Sequence, residues 1–340
     1  MHKGQAMVSS KEVARLAGVS QATVSRVLNN PTGVRQETRE KVLKAMEQLH
    51  YKPNLIARSL ITKSTKLVAL ISGSLSNGYC VETTDSIVQL LMRHGYKTIV
   101  FFEGTANLKD ILDSVLSNRV DGILMSSIKL EEPLFDGILA SGIPYVFFNR
   151  RPRTGGNYVV LDNELAGRLI AQHLLDLGHE RVAYVSGPAN ISTFLERFTG
   201  FKTAMEVAGA VLDSEMVMEV DASSPEEVEK ATWKLLNRDT PPSAVVYATD
   251  AMALIGMDVA MSMGYRIPED VSVAGMDDIK MAAHAAIQLT TVRHHRFTMG
   301  EIAAEMLIDM MEKCELAQSP RQIVLKPELV VRKTTARRRL

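Results

Sequence analysis

The chain has 340 residues, of which 46% are hydrophobic and 23% charged, and its formal net charge is zero. This length predicts two or three domains, and the composition is that of ordinary globular proteins. No apolar run reaches the roughly 18 residues of a membrane span, and the first residues lack the apolar segment of a secretory signal. Two cysteines, Cys80 and Cys314, are too few for a disulfide framework. We therefore expect a protein of the reducing cytoplasm.

The zero net charge conceals a basic N-terminal segment. Residues 1–66 hold twelve lysines and arginines against four acidic residues, whereas the remaining 274 residues hold 27 against 35. A basic segment joined to an acidic body is typical of nucleic-acid-binding proteins, because phosphates attract lysine and arginine. Composition alone leaves a solvated basic face equally open.

Three short helices are predicted before residue 50. Ser9 and Glu12 form a capping-box pattern at the start of the first helix. Ser20 can cap a second helix from Gln21 to about Asn29, and a third runs from about Gln36 to His50. Two helices joined by a few residues predict a helix-turn-helix unit, whose second helix enters the major groove of DNA.

The second helix carries the candidate DNA contacts. Val24, Val27 and Leu28 recur at helical spacing and should face the core. On the exposed side, a glutamine can read adenine, an arginine can read guanine, and an alanine can contact a thymine methyl group. The predicted major-groove residues are Gln21, Ala22, Ser25 and Arg26, and the predicted phosphate contacts are Thr23 and Asn29. Plain surface exposure is the alternative for any one of these polar side chains.

Three runs of residues carry a resemblance to a known family. They are residues 13–29 (VARLAGVSQATVSRVLN), 37–42 (ETREKV) and 49–60 (LHYKPNLIARSL). Together they closely resemble the DNA-binding head of the lac-repressor (LacI/GalR) family. The resemblance implies a sequence-specific transcriptional repressor with a helix-turn-helix head at residues 8–50. Arg35 departs from the family pattern, which often has a capping serine there, and this loss should cost about 1 kcal/mol.

Residues 51–66 are predicted to form a hinge helix and linker. Asn54 can begin a short element, but that element is too short to be a stable helix alone. From the residues alone, an ordinary linker is favoured. The resemblance implies instead a helix that folds on operator DNA beside its dimer mate, with Asn54, Ala57 and Leu60 in the minor groove. Leu60 would be the apolar wedge that unstacks a base step.

From Leu67 onward, short apolar strands alternate with helical patterns in two series. The predicted strands are residues 67–71, 98–102, 122–125 and 144–148, followed by 181–185, 216–218, 244–247 and 271–274. Such alternation predicts parallel sheets covered on both faces, and two series predict two doubly wound lobes. Ligands of these sheets bind beyond the carboxyl ends of the strands, so the predicted site is the cleft between the lobes.

This second region resembles the periplasmic-binding-protein fold of the same family's sensor domain. Supporting runs are residues 119–123 (RVDGI), 162–163 (DN), 177–179 (LGH), 196–201 (ERFTGF) and 268–273 (PEDVSV). The expected fold class is a small all-α head with a hinge helix, joined to a two-lobed α/β body. We expect an effector-binding and dimerisation domain at 67–332, with lobe one at 67–161 and 293–320, lobe two at 162–292 and 321–332, and a disordered basic tail at 333–340.

Polar side chains that follow the predicted strands are the candidate effector contacts, because carboxylates, amides and arginine can hold sugar hydroxyls. They are Ser74, Asn77, Tyr79 and Asn149 in lobe one and Arg197, Asp250 and Asp277 in lobe two. Two structural alternatives stay open, since Asp250 could be a helix N-cap and Arg197 could pair with an acidic neighbour. Cys80 and Val220 stand where the family often has aromatic residues. A sugar or sugar derivative is the expected effector.

Other classes of function have less support in the sequence. Adjacent strand residues such as His294 and His295 point to opposite faces, so they do not predict a metal site. No dinucleotide, Walker A or nucleophile–base motif occurs, so we expect neither an enzyme nor a cofactor. A solute-binding transport protein would need a signal peptide and no helix-turn-helix. Paired hinges and DNA half-sites predict a homodimer.

Overall fold

The computed structural model describes residues 8–29, 33–51, 64–75, 77–102, 107–133, 135–210, 212–294, 299–313 and 319–338. The chain divides into two compact units, Met1–Thr65 and Lys66–Leu340. The smaller unit contains the helical head, and the larger contains both lobes. Among the described residues, no helix is both long and apolar enough to cross a membrane.

Three helices form the head. They are α1 (Ser10–Ala17), α2 (Gln21–Asn29) and α3 (Gln36–Gln48). The Glu12 amide donates to the Ser9 hydroxyl and the Ser9 amide donates to the Glu12 carboxylate, which confirms the predicted capping box. Gly18 ends α1 with φ of 67°, a left-handed conformation that glycine adopts without strain. Arg35 precedes α3 and makes no side-chain capping bond.

The core of the head is a small valine cluster. Val13, Val24 and Val42 each contribute a fully buried side chain, one from each helix. The α1–α2 link is only residues 18–20, and it turns the second helix across the first. The predicted helix-turn-helix arrangement is therefore confirmed.

Lobe one is a parallel sheet flanked by helices. Its strands are β1 (Leu67–Ser72), β2 (Lys97–Phe102), β3 (Gly122–Met125), β4 (Tyr145–Phe148), β5 (Tyr158–Leu161) and β11 (Gln322–Leu325). They lie in the order β11-β5-β4-β3-β1-β2 and all pair in parallel. The helices are α4 (Gly78–Arg93), α5 (Leu108–Ser117), α6 (Phe135–Ser141) and α11 (Met299–Lys313).

Lobe two repeats this architecture with four strands. They are β6 (Val182–Ser186), β7 (Val217–Glu219), β8 (Ala244–Tyr247) and β9 (Ser272–Ala274), in the parallel order β7-β6-β8-β9. The helices are α7 (Asn163–Asp176), α8 (Ser192–Val207), α9 (Pro225–Leu236) and α10 (Asp250–Ser262). The core strands β6 and β8 are buried on both faces, which explains their continuous apolar sequences.

Two later segments of the chain, where it runs from one lobe to the other, form a two-stranded antiparallel ribbon. Its strands are β10 (Thr291–His294) and β12 (Pro327–Val330). Between them, β11 joins the sheet of lobe one beside β5, with Val324 opposite Val160. The prediction that residues 321–332 belong to lobe two is therefore wrong for β11. The strand's pattern shows that it is extended, but only the position of the open edge beside β5 decides which sheet it joins.

The C-terminal segment is ordered along lobe two, and the prediction of a disordered tail is wrong for residues 333–338. The Val273 amide donates to the Thr334 carbonyl at 2.8 Å, and the Ala336 amide donates to the Ser272 hydroxyl at 3.1 Å. Thr334 is buried. Because β9 is an edge strand, its backbone groups are open to this pairing, and the basic composition of the tail gives no sign of it.

Candidate effector site and DNA-binding face

The exposed side of α2 carries the predicted base contacts. Gln21, Ala22 and Arg26 are exposed, whereas Thr23 and Ser25 are half-buried. Val24 and Val27 on the opposite side are buried, as expected. The Gln21 side-chain amide donates to the Ser10 hydroxyl at 2.9 Å, so α1 holds this side chain at the start of α2. Asn29 is the last residue of α2.

The predicted minor-groove contacts Asn54, Ala57 and Leu60 lie outside the described residues. Their assignment stays a prediction that rests on the family resemblance.

Arg197 is the centre of a buried network of polar contacts in lobe two, and it is only 2% exposed. Its Nε donates to the Asn163 side-chain oxygen at 3.0 Å, and its Nη1 donates to the Ala248 carbonyl. Its Nη2 lies 2.7 Å from the Asp277 carboxylate. Burial disfavours the charged guanidinium, but Asp277 outweighs this effect and the pKa of Arg197 is raised. The guanidinium therefore stays charged.

Two glycines let Arg197 reach this position. At the crossing of α7 and α8, a Cβ on Gly167 would lie 2.0 Å from the Arg197 carbonyl oxygen, and one on Gly200 would lie 1.9 Å from the Glu164 carbonyl oxygen. No other residue type permits such close backbone approach. The crossing brings Asn163, at the start of α7, within hydrogen-bond distance of Arg197.

Asp277 occupies a turn after β9. Its φ of 126° is positive, and its amide donates to the Val292 carbonyl at 2.9 Å. Next to it, Asp278 pairs with Arg332 at 2.5 Å, and Arg332 also donates to the Leu289 carbonyl. Two arginine–aspartate pairs therefore compensate the charges around this turn.

Asp250 is fully buried, and both of its carboxylate oxygens accept hydrogen bonds from the protein. Thr291 Oγ1 donates to one oxygen at 2.6 Å, and the Ile279 amide donates to the other at 3.0 Å. The N-cap of α10 is Thr249, so the alternative that Asp250 caps this helix is wrong. Through these hydrogen bonds, the Asp250 side chain connects α10 to β10 and to the turn that carries Asp277.

Burial, with the nearby charge of Asp277, raises the pKa of Asp250 from 3.8 to about 7. The folded state binds the Asp250 proton more tightly than the unfolded state does, and this binding stabilises the protein. The stabilisation is complete below pH 4 and is lost as the pH rises through 7. In Asp250→Asn this dependence should disappear, which flattens the change in unfolding free energy between pH 5 and pH 8 by about 3 kcal/mol. Urea titrations at both pH values measure the effect. Asp258→Asn, an exposed position on the same helix, is the control and should keep the wild-type slope.

The candidate contacts of lobe one lie at the carboxyl ends of β1 and β4. Asn77 caps α4, since its side-chain oxygen accepts from the Tyr79 amide at 3.0 Å. Tyr79 is buried, and its hydroxyl lies 3.7 Å from Met299 Sδ. Burial and the charge of Asp277 raise the pKa of this hydroxyl, so it stays protonated. Ser74 is half-buried beside this helix start.

Asn149 follows β4 with φ of 64°, and its carbonyl accepts from Thr193 Oγ1 at 2.5 Å. The lobes also meet elsewhere, because the Leu130 amide donates to the Asn190 carbonyl and the Lys280 amide donates to the Glu82 carboxylate. The two lobes are therefore in direct contact.

Three residues of this candidate site are not predicted by the sequence. Asn163 and Glu196 hold Arg197 and its helix in place, and their only sequence signal was membership of the family-like runs at residues 162–163 and 196–201. Tyr184 on β6 is fully buried near Arg197, and its hydroxyl has no hydrogen-bond partner within the described part of the chain. The sequence shows only a tyrosine inside an apolar strand, and this pattern does not indicate a position near Arg197.

Two family models match the chain. Residues 10–54 match the model for bacterial regulatory proteins of the lacI family, and residues 171–335 match a periplasmic binding protein-like domain. A transcriptional repressor named PurR from Vibrio vulnificus (strain CMCP6) is 35% identical over 332 residues, which are 96% of this chain and 98% of that protein. The PurR repressor of Haemophilus influenzae (strain PittEE) is 32% identical over 334 residues, again 96% and 98%.

Solved structures agree with these matches. A complex of the transcriptional regulator CelR with cellobiose is 31% identical, with a TM-score of 0.71 over 96% of this chain and 99% of that one. The lac repressor dimer bound to operator and the anti-inducer ONPF is 27% identical, with a TM-score of 0.85 over 97% and 100%.

The helical head, the two-lobed body and these matches define a DNA-binding transcriptional repressor with an effector-binding domain. The relatives are repressors rather than enzymes. The chain belongs to the lacI family of bacterial regulatory proteins.

Proposed function

We propose that this repressor acts in the cytoplasm as a homodimer whose operator affinity is set by a sugar or sugar derivative bound between the lobes. The observation that carries the proposal is the buried pair of Arg197 and Asp277, placed at the carboxyl ends of the strands where ligands of such sheets bind. The effector would favour one arrangement of the lobes, and operator affinity would follow because the two arrangements hold the DNA-binding heads differently.

The charges of the cleft favour a neutral, polyhydroxyl effector. Arg197 and Asp277 compensate one another, so a hydroxyl-rich molecule can donate and accept there without bringing a charge of its own. The similarity to a cellobiose-bound regulator supports a carbohydrate. Tyr79, Ser74, Asn77 and Asn149 would contact the effector from lobe one. Cys80 and Val220 provide no aromatic face, which favours a derivative over a plain pyranose.

A thermal-shift screen of sugars, sugar phosphates and nucleosides on the full chain tests this proposal. A compound present at about a hundred times its Kd should stabilise the folded state by about 2.7 kcal/mol, which raises the melting temperature by several degrees. A hit confined to phosphorylated sugars or to nucleosides would refute a neutral sugar effector. A hit that also loosens or tightens operator binding would identify the molecule as an allosteric effector.

A dimer interface has support from exposed apolar side chains. Val81 and Met92 on α4, Leu116 on α5 and Met281 after β9 are exposed. Exposed apolar side chains mark a protein interface where they form one contiguous patch. The similarity to the lac repressor dimer supports two copies. Sedimentation equilibrium on the full chain tests this part of the proposal.

Gln21 is proposed to read a base pair in each operator half-site. Gln21→Ala should cost about 1–3 kcal/mol on the preferred operator and relax preference at one position, because a bidentate contact to adenine is lost. The salt dependence of binding should stay nearly constant, since no phosphate contact is removed. Competition binding across single-base operator variants at several salt concentrations measures both. Gln36→Ala on α3 is the control. An equal loss on every operator would contradict base reading.

Leu60 is proposed to be the minor-groove wedge, with Asn54 and Ala57 beside it in the hinge. Leu60→Ala should reduce both the bend of the operator and the specific affinity, because the apolar side chain that unstacks a base step is shortened. Effector affinity should stay unchanged. Gel mobility of circularly permuted operator fragments measures the bend, and an unaltered bend angle would sink the wedge assignment.

A further inference from the structure

The first turn of α8 forms hydrogen bonds with lobe one. The Arg151 amide donates to the Ser192 hydroxyl at 3.0 Å, and the Thr193 hydroxyl donates to the Asn149 carbonyl. Arg151 follows β4 and therefore belongs to lobe one, whereas α8 belongs to lobe two. The helix that carries Arg197 thus begins at the contact between the lobes.

One turn further along α8, Glu196 has partners in two directions. Its Oε1 lies 2.7 Å from Arg151 Nη2, and its Oε2 accepts from Asn163 Nδ2 at 3.4 Å. Its side chain is 17% exposed and that of Arg151 is 33% exposed, so solvent screens this ion pair less than it screens the surface pairs. Burial raises the pKa of Glu196, while the Arg151 charge lowers it.

The side-chain amide of Asn163 connects Glu196 to Arg197. Its nitrogen donates to Glu196 and also to the Leu161 carbonyl at 3.2 Å. An amide side chain has one acceptor oxygen, so with its nitrogen held on this side the oxygen must face Arg197 Nε, 3.0 Å away. Asn163 is 2% exposed, so no solvent replaces a lost partner.

We propose that Glu196 is a positioning residue that couples lobe contact to the effector site, by orienting Asn163 and through it the guanidinium of Arg197. This inference rests on the proposed function, since it names how that site is regulated. When the lobes separate, Arg151 moves away with lobe one and Glu196 keeps only Asn163. The orientation of the amide is then less restrained, and Arg197 loses part of its support on the Nε side.

The test follows the Arg197 Nε–H signal by NMR in the full chain labelled with nitrogen-15 arginine, without any effector. The signal is assigned by its loss in Arg197→Lys. In Arg151→Met and in Glu196→Gln, solvent exchange of this proton should rise by about tenfold, because one charge-assisted contact of the chain is removed. Glutamine has one acceptor oxygen and cannot serve both Arg151 and Asn163.

Arg153→Met is the matched control. Arg153 lies two residues from Arg151 and pairs with Glu131 at 2.5 Å, but that pair is exposed and lies within lobe one. Its loss should leave the Arg197 signal unchanged. The double variant R151M/E196Q should show about the same increase as either single variant, because both remove one contact.

Unchanged exchange in both single variants, or an equal increase in Arg153→Met, overturns the inference. If Arg151→Met does not fold, Glu196→Gln alone decides, since it preserves the shape of the side chain. The readout needs no ligand, so a failure here is separate from a failure to find an effector in the thermal-shift screen.

Discussion

Gly200→Ala should be the most disruptive alanine substitution among the glycines of the described residues. Its Cβ would lie 1.9 Å from the Glu164 carbonyl oxygen, a backbone atom that no rotamer change can move aside. Helices α7 and α8 must then separate along their whole crossing, so the free energy of unfolding should fall by about 3 kcal/mol or more. Gly167→Ala should act alike, because its Cβ would meet the Arg197 carbonyl oxygen at 2.0 Å.

Urea unfolding followed by circular dichroism measures the loss. The matched control is Gly137→Ala within α6, where an added Cβ has no neighbour within 4 Å. There alanine should stabilise the protein by about 0.5–1 kcal/mol, because it lowers the entropy of the unfolded chain. Because the crossing also places Arg197, both disruptive variants should lose effector binding. An unfolding free energy of Gly200→Ala close to that of the wild type would refute the predicted backbone collision.

Arg197→Met should cost about 3–5 kcal/mol of stability, because it leaves the buried Asp277 carboxylate without its counterion. The Asn163 oxygen and the Ala248 carbonyl lose their donor at the same time. Every effector that stabilises the wild type in the thermal-shift screen should fail to stabilise this variant. Chemical unfolding measures the loss of stability, and calorimetric titration measures the loss of effector binding.

The double variant R197M/D277N separates stability from binding. Replacing the carboxylate with a neutral amide, which tolerates the positive φ of this position, should recover about 2 kcal/mol of the loss, since no unpaired charge stays buried. Effector binding should not return, because the guanidinium is gone. Arg293→Met is the surface control. The Arg293–Glu328 pair spans 3.2 Å but is about half exposed, so its loss should cost less than about 1 kcal/mol. Equal losses at Arg197 and Arg293 would contradict the argument.

Local signals in the sequence were sufficient for the head. The Ser9–Glu12 capping box, the glycine that ends α1 and the valines of the core all depend on residues a few positions apart. Such contacts follow from helical periodicity and backbone preference, which act at short range. The alternation of apolar strands and helices predicted two parallel sheets for the same reason.

The arrangement of the candidate effector site could be predicted only in part. Position after a strand predicted Arg197 and Asp277, and the structure brings these two side chains together, because strand ends gather at one edge of a sheet. The same rule included Asp250, whose carboxylate oxygens both accept hydrogen bonds from the protein. A strand-end rule locates a residue near the cleft but does not say whether its polar atoms face the effector or the protein.

Patterns along the chain were enough to predict a basic helix-turn-helix head and a two-lobed sensor, because each helix and strand is specified by residues close together in the sequence. Three features depend on long-range packing: β11 completes the sheet of lobe one, residues 333–338 pair with β9, and Arg151, Glu196 and Asn163 form a chain of contacts to Arg197. These contacts join residues far apart in the chain. Whether they form depends on which sheet edges are open and how closely two helices cross, and no local pattern contains that information.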